Sequence, residues 1–185
     1  MCNLCDQLID YGCVMGYKDD LMSRIYDRDA DERMRAACNP NLTAEHIDVL
    51  LGDSDPIIKC AALRHPSTTV GHLDRAIEDS SPAVQMAVLK HPKATASHVT
   101  DGLMSRQWTL RMEAVMSPAA NRVQVMTALK DEEPMVRIEA VKKAPEVLAV
   151  LALNDTDRNV RFAAKKRLEQ LEALDRAAVD TGTPT

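Results

Sequence analysis

The stretch Asp53–Pro66, DSDPIIKCAALRHP, returns from Asp79 to Pro92 as Asp79-Ser80-Ser81-Pro82 followed by AVQMAVLKHP, and at Asp131–Pro145 as DEEPMVRIEAVKKAP. The prolines that close the pattern are Pro40, Pro66, Pro92, Pro118 and Pro145, spaced 26, 26, 26 and 27 residues apart. Acids keep the same phase at Asp27, Asp53, Asp79 and Asp131, with Ser105 in the slot between. One apolar column runs Met34, Cys60, Met86, Met112, Ile138, and another runs Ala36, Ala62, Val88, Ala114, Ala140. A fixed period of this length marks a repeat architecture, in which each unit buries its apolar side on its neighbours.

Each unit reads as two short helices. The second opens at Asp55-Pro56, Ser81-Pro82 or Glu133-Pro134. Proline at the first helical position forfeits no hydrogen bond, and an acid or hydroxyl before it can cap the open amides. Apolar residues then recur at helical spacing, as with Ile58, Ala62 and Leu63. The helix stops before His65-Pro66 or His91-Pro92, because a residue before proline is pushed out of the α region. The first helix of the next unit starts at Thr43, Thr69, Thr95 or Asn121, all good caps. Three residues on stand His46, His72, His98 and Gln124. That is where a capping box places the side chain that reaches back to the cap amide. Gln124 fills the slot without acid–base chemistry, so the histidines read as caps before they read as ligands.

Composition narrows the classes. Among 185 residues there are one Trp, one Phe and three Tyr, so core volume must come from aliphatic residues, Ala and Met. Six glycines form no phosphate-cradling loop. A net charge of −5 argues against general affinity for nucleic acid or anionic membrane, which excess Lys and Arg would carry. No apolar run approaches the ~20 residues of a membrane span. The absence of a basic-then-apolar leader and the cysteine usage predict a reducing, cytoplasmic setting.

Three of the five cysteines, Cys2, Cys5 and Cys13, lie in the opening MCNLCDQLIDYGCVMGYK. Cys38 is the fourth candidate ligand, since its column continues as Arg64, Lys90 and Met116 and is not a core column. Four thiolates suit a Cys₄ zinc site or an iron–sulfur cluster. Cys60 shares a column with methionines and reads as core.

Two further features bear on partners. In residues 93–118 the turn acid and proline give way to Ser105-Arg106-Gln107-Trp108. Trp108, Arg106 and Arg111 are anchor types for a partner, although Trp108 also suits a gap between turns. A basic column, Arg33, Lys59, Gln85, Arg111, Arg137 and Arg161, stands beside the acid column. Acids and bases so placed can pair between adjacent turns, and this reading outweighs a phosphate-binding stripe. The last helix, with Phe162, Leu168, Leu171 and Leu174 at helical spacing, is expected to cap the array.

The unit HP-x-x-T-x-x-x-L followed by D-x-x-P-x-V-R/K-x-x-A-V/L, seen in Leu63–Val88 and around Pro134–Val141, resembles the leucine-rich repeat variant family, a relative in form of HEAT repeats. The resemblance covers about residues 20–165. It implies a right-handed superhelix of alternating short α- and 3₁₀-type helices, and an N-terminal segment holding a [4Fe-4S] cluster, here on Cys2, Cys5, Cys13 and Cys38. The expected fold is therefore all-α, a right-handed α-solenoid of about six 26-residue two-helix repeats. A cysteine-containing cap would occupy residues 1–18, the repeats 19–174 and a disordered tail 175–185. The expected function is a non-enzymatic module that binds a protein partner. The alternatives are an iron–sulfur redox or sensor protein and a HEAT-like nucleic-acid binder using Trp108, Arg106, Arg111 and Asp131.

Overall fold

The computed structural model describes residues 21–180, with side chains described as far as 177. All regular structure among the described residues is helical. The chain forms two compact units, one ending at Ala94 and the other starting at Thr95.

In the first unit α1 (Leu21–Ile25), α3 (Ala44–Leu50) and α5 (Val70–Ala76) alternate with α2 (Ala30–Ala37), α4 (Pro56–Leu63) and α6 (Pro82–Lys90). Helix α4 packs on both α2 and α6, and α1 packs on α3. Like helices therefore lie on like, as a repeat requires. The reason is visible in the alanine column. Ala36 and Ala62 are fully buried, and such small side chains let neighbouring second helices approach closely. Ile25, Ile47, Leu50 and Ile58 fill the remaining space.

The second unit repeats the arrangement with α7 (Ala96–Leu103), α8 (Trp108–Met116), α9 (Arg122–Ala128), α10 (Pro134–Lys143) and α11 (Glu146–Ala149). A 3₁₀ turn at Val150–Asn154 then leads to the long α12 (Arg158–Asp180). Helix α10 packs on both α8 and α12, while α7 packs on α9. Val115, Val125, Val136, Ala140 and Leu148 form its principal core.

The helix starts follow the sequence closely. Asp55 accepts the Ile57 amide at 2.8 Å, with Pro56 at the first helical position. All four first-helix caps close a box, in which Thr43, Thr69, Thr95 and Asn121 each donate a backbone N–H to the residue three on. The acceptors are Nδ1 of His46, His72 and His98, at 3.0, 3.0 and 2.9 Å, and Oε1 of Gln124 at 2.9 Å. An Nδ1 that accepts carries no proton, so these rings hold their hydrogen on Nε2. The Nε2 of His72 lies 2.9 Å from Asp48 Oδ1.

Several expectations change. Phe162 and Leu174 are exposed, at 69% and 62%, so helical spacing on α12 does not mark one buried stripe; Leu168 alone of that set packs on the core of the second unit. Val123 on α9 and Met135 on α10 also face solvent. Cys60 is half-buried instead of sealed, and that burial pushes its thiol pKa up. Helix α12 runs on to Asp180, through the first part of the segment expected to be a tail.

The two faces of α4 should respond differently to truncation. Leu63 is 1% exposed, so Leu63→Ala should cost about 2–5 kcal/mol in urea unfolding. Ile57 is 61% exposed, and Ile57→Ala should stay within about 0.5 kcal/mol of the parent.

Candidate functional site

The basic and acidic columns form one repeated device. Arg111 donates from Nε and Nη2 to the two carboxylate oxygens of Asp131, at 2.7 and 2.9 Å. Its Nη1 donates to the carbonyls of Ser105 and Arg106 in its own turn, at 3.1 and 3.2 Å. Arg33 does the same with Asp53 and with the carbonyls of Asp27 and Arg28. Arg137 does so with Asp155 and with the carbonyls of Asp131 and Glu132. Lys59 reaches Asp79 with a single contact of 2.6 Å. Each acceptor aspartate also takes the amide two residues on, at 2.8–2.9 Å, which fixes the turn before the second helix.

Two positions depart from the rule. Gln85 keeps only the own-turn bond, donating to the Asp79 carbonyl at 2.8 Å. The columns lose charge together in the sequence, at Gln85 and Ser105, which lie 20 residues apart as do Arg33 and Asp53. Arg161 ends the column. Its Nη1 donates to the carbonyls of Asp155 and Thr156, at 2.7 and 2.9 Å, as in every earlier arginine turn. No carboxylate among the described residues meets its Nε–Nη2 edge.

The proposed partner residues therefore separate. Arg111 is buried and bonded to Asp131, Glu132 and two carbonyls, so it belongs to the scaffold and has no free fork for a partner. Arg106 is exposed, and Trp108, the first residue of α8, is 41% exposed. Of the cysteine ligands, Cys2, Cys5 and Cys13 lie outside the described residues. Cys38 is half-buried as the C-cap of α2, while its counterparts Arg64 and Lys90 are exposed. No group of three or more metal-binding side chains assembles among the described residues. No described helix is long and apolar enough to cross a membrane.

Sequence reasoning missed two surfaces. On α9, and on α11 with the 3₁₀ turn that follows it, Val123, Met126, Val147, Val150 and Leu151 are exposed. Val123 matches Val147 and Met126 matches Val150, because their neighbours Gln124 and Leu148, Val125 and Ala149, and Ala128 and Ala152 are buried in matching order. In the first unit the position of Met126 is taken by Asp48 and Asp74. The second surface is a cleft of about 520 Å³ lined by Arg158, Asn159, Arg161, Phe162 and Lys165. No family model matches the chain, and neither curated proteins nor solved structures give a match.

The rung aspartates titrate abnormally. In Asp155 the hydrogen bonds from Arg137 are the main cause and outweigh burial, holding the carboxyl below its ordinary value. In Asp53, Asp79 and Asp131 burial is the largest single influence and acts upward. The paired cation and the bonded amide together overcome it, and the net direction is again downward. A carboxyl with a lowered folded-state pKa stabilises above the unfolded value of about 4 and ceases to do so as pH falls through the folded value. The urea midpoint should accordingly be lower at pH 3 than at pH 7. The double variant Arg137→Met/Asp155→Asn should show a smaller drop between the two conditions. An identical drop would mean that the rung does not carry the dependence.

Proposed function

We propose that the chain is a non-enzymatic protein-interaction module, a right-handed α-solenoid of 26-residue two-helix repeats of the leucine-rich repeat variant or HEAT-like kind. What supports the repeat is the recurrence of one cation–carboxylate rung and one capping box in both units. The aspartates with displaced titration are each tied to a cation and an amide, so their shifts serve the scaffold instead of acid–base work.

The observation that carries the binding role is the exposed apolar row Val123, Met126, Val147, Val150 and Leu151. Exposed apolar side chains recurring at equivalent positions suit a partner protein, and the acids in the Met126 slot of the first unit's helices indicate that the scaffold does not require an apolar residue there. Arg106 and Trp108 provide further exposed anchor types in the same unit. Val147 and Leu151 are 67% and 64% exposed, so Val147→Lys/Leu151→Lys should leave the melting temperature unchanged. The variant should lose the protein partners that the parent chain captures by cross-linking in its native extract. Partners retained in full, or a measured turnover with no partner at all, would reject this role.

A cysteine-ligated metal belongs to the same proposal. Cys38, at the half-buried C-cap of α2, packs against the core of the first unit, whereas its counterparts Arg64, Lys90 and Met116 are exposed. Together with Cys2, Cys5 and Cys13 it would supply four thiolates, suited to zinc or a [4Fe-4S] cluster. Metal analysis of anaerobically purified protein should find stoichiometric zinc or iron that Cys38→Ser removes. Metal-free protein with all four thiols titratable would end this part of the reading.

A further inference from the structure

We propose that Arg161 and Phe162 form a receptor for an aspartate-bearing turn of a partner protein, completing from outside the rung that is half-made among the described residues. This rests on the protein-binding reading above and names a second contact for it.

The argument begins with the arginine fork. In Arg33, Arg111 and Arg137, Nη1 is held by two carbonyls of the same turn, and the Nε–Nη2 edge then takes a carboxylate in parallel bonds. Arg161 has the same two carbonyl bonds, to Asp155 and Thr156. Its fork is thus held in place before any ligand arrives, which removes most of the ordering cost of binding. Arg161 and Phe162 both line the cleft of about 520 Å³.

The neighbouring position supports the same occupant. Phe162 follows Arg161 as Ile138 follows Arg137 and Met112 follows Arg111. Ile138 and Met112 pack against the core clusters of their unit, whereas Phe162 is 69% exposed. An acidic turn followed by an apolar helix would cover both residues, as the chain's own turns do one repeat earlier.

Charge selects a short acidic segment over a long polyanion. From Arg158 to Arg167 there are five cations and no acid, but Glu169, Glu172 and Asp175 follow on the same helix. The cationic patch is therefore brief, and a nucleic acid running along α12 would meet repulsion.

The test uses the full chain and a fluorescein-labelled peptide copying residues 129–140, LKDEEPMVRIEA, which carries the Asp131 turn. Binding read by fluorescence anisotropy should be saturable and weakened by salt. Arg161→Gln should weaken it at least about tenfold, since the bidentate fork is lost. That variant imitates Gln85, which keeps its turn with one carbonyl bond, so the fold is expected to survive and its melting temperature checks this. Asp131→Asn in the peptide should have a similar effect, and Phe162→Ala a smaller one. Val147→Lys/Leu151→Lys should leave peptide binding intact, which separates failure of this receptor from failure of the apolar row. Peptide binding that is absent, or indifferent to Arg161→Gln, would overturn the proposal. So would a single-stranded oligonucleotide that displaces the peptide in an Arg161-dependent way, or Arg161-dependent self-association in sedimentation velocity, either of which would assign the fork another occupant.

Discussion

A guanidinium held on one side by the carbonyls of its own turn, and on the other by the carboxylate of the next, is the contact on which this architecture turns. It does three things at once. It fixes the turn that precedes each second helix, through the amide bonded to the same aspartate. It ties one repeat to its neighbour in directional geometry, which aliphatic packing alone cannot supply. It also places charge where two repeats would otherwise bury bare carbonyls. An isolated surface ion pair contributes little, but here the side chains of Arg111 and Asp131 are only 10% and 9% exposed and both carboxylate oxygens are used. Removing one partner alone would strand a charge, which is why such pairs resist single substitution.

The packing complements this. Thin helical layers built on Ala36, Ala62, Ala114 and Ala140 leave little room for adjustment, so the helices must arrive in register. The capping boxes set where α3, α5, α7 and α9 begin, and proline after the cap sets where several of the second helices do. Among the described residues no buried side-chain nitrogen or oxygen is left without a partner. Local turn chemistry and long-range pairing thus agree, the condition under which a sequence specifies one structure.

Much of this could be read from spacing. The period, the paired helices, the threonine caps and the histidines that close them all follow from residue type and interval, because each helix start depends on contacts within about five residues. The acid and base columns could be recognised, but not the donor assignments, since a column says nothing of which nitrogen faces which turn. The errors share one cause. Phe162 and Leu174 keep apolar spacing, yet spacing identifies a face and not whether a neighbour covers it. Trp108 was harder still, because its position at the start of α8 puts a large ring at a turn, open to solvent. The exposed row of the second unit was hidden for the opposite reason. Its members look like ordinary core residues until the matching burial of Gln124 and Leu148 shows which side of each helix is inside.

The reach of each rung also bears on how such a chain can lengthen. The base of one repeat meets an acid 18 or 20 residues later, and the repeats that begin at Asp27, Asp53 and Asp131 each carry one acid and one base of their own. Duplicating or deleting a whole repeat of that kind would therefore leave each remaining base facing an acid. Copy number could drift without ever stranding a charge, so length in such a molecule is open to selection in steps of one module, while the interior of each module is not.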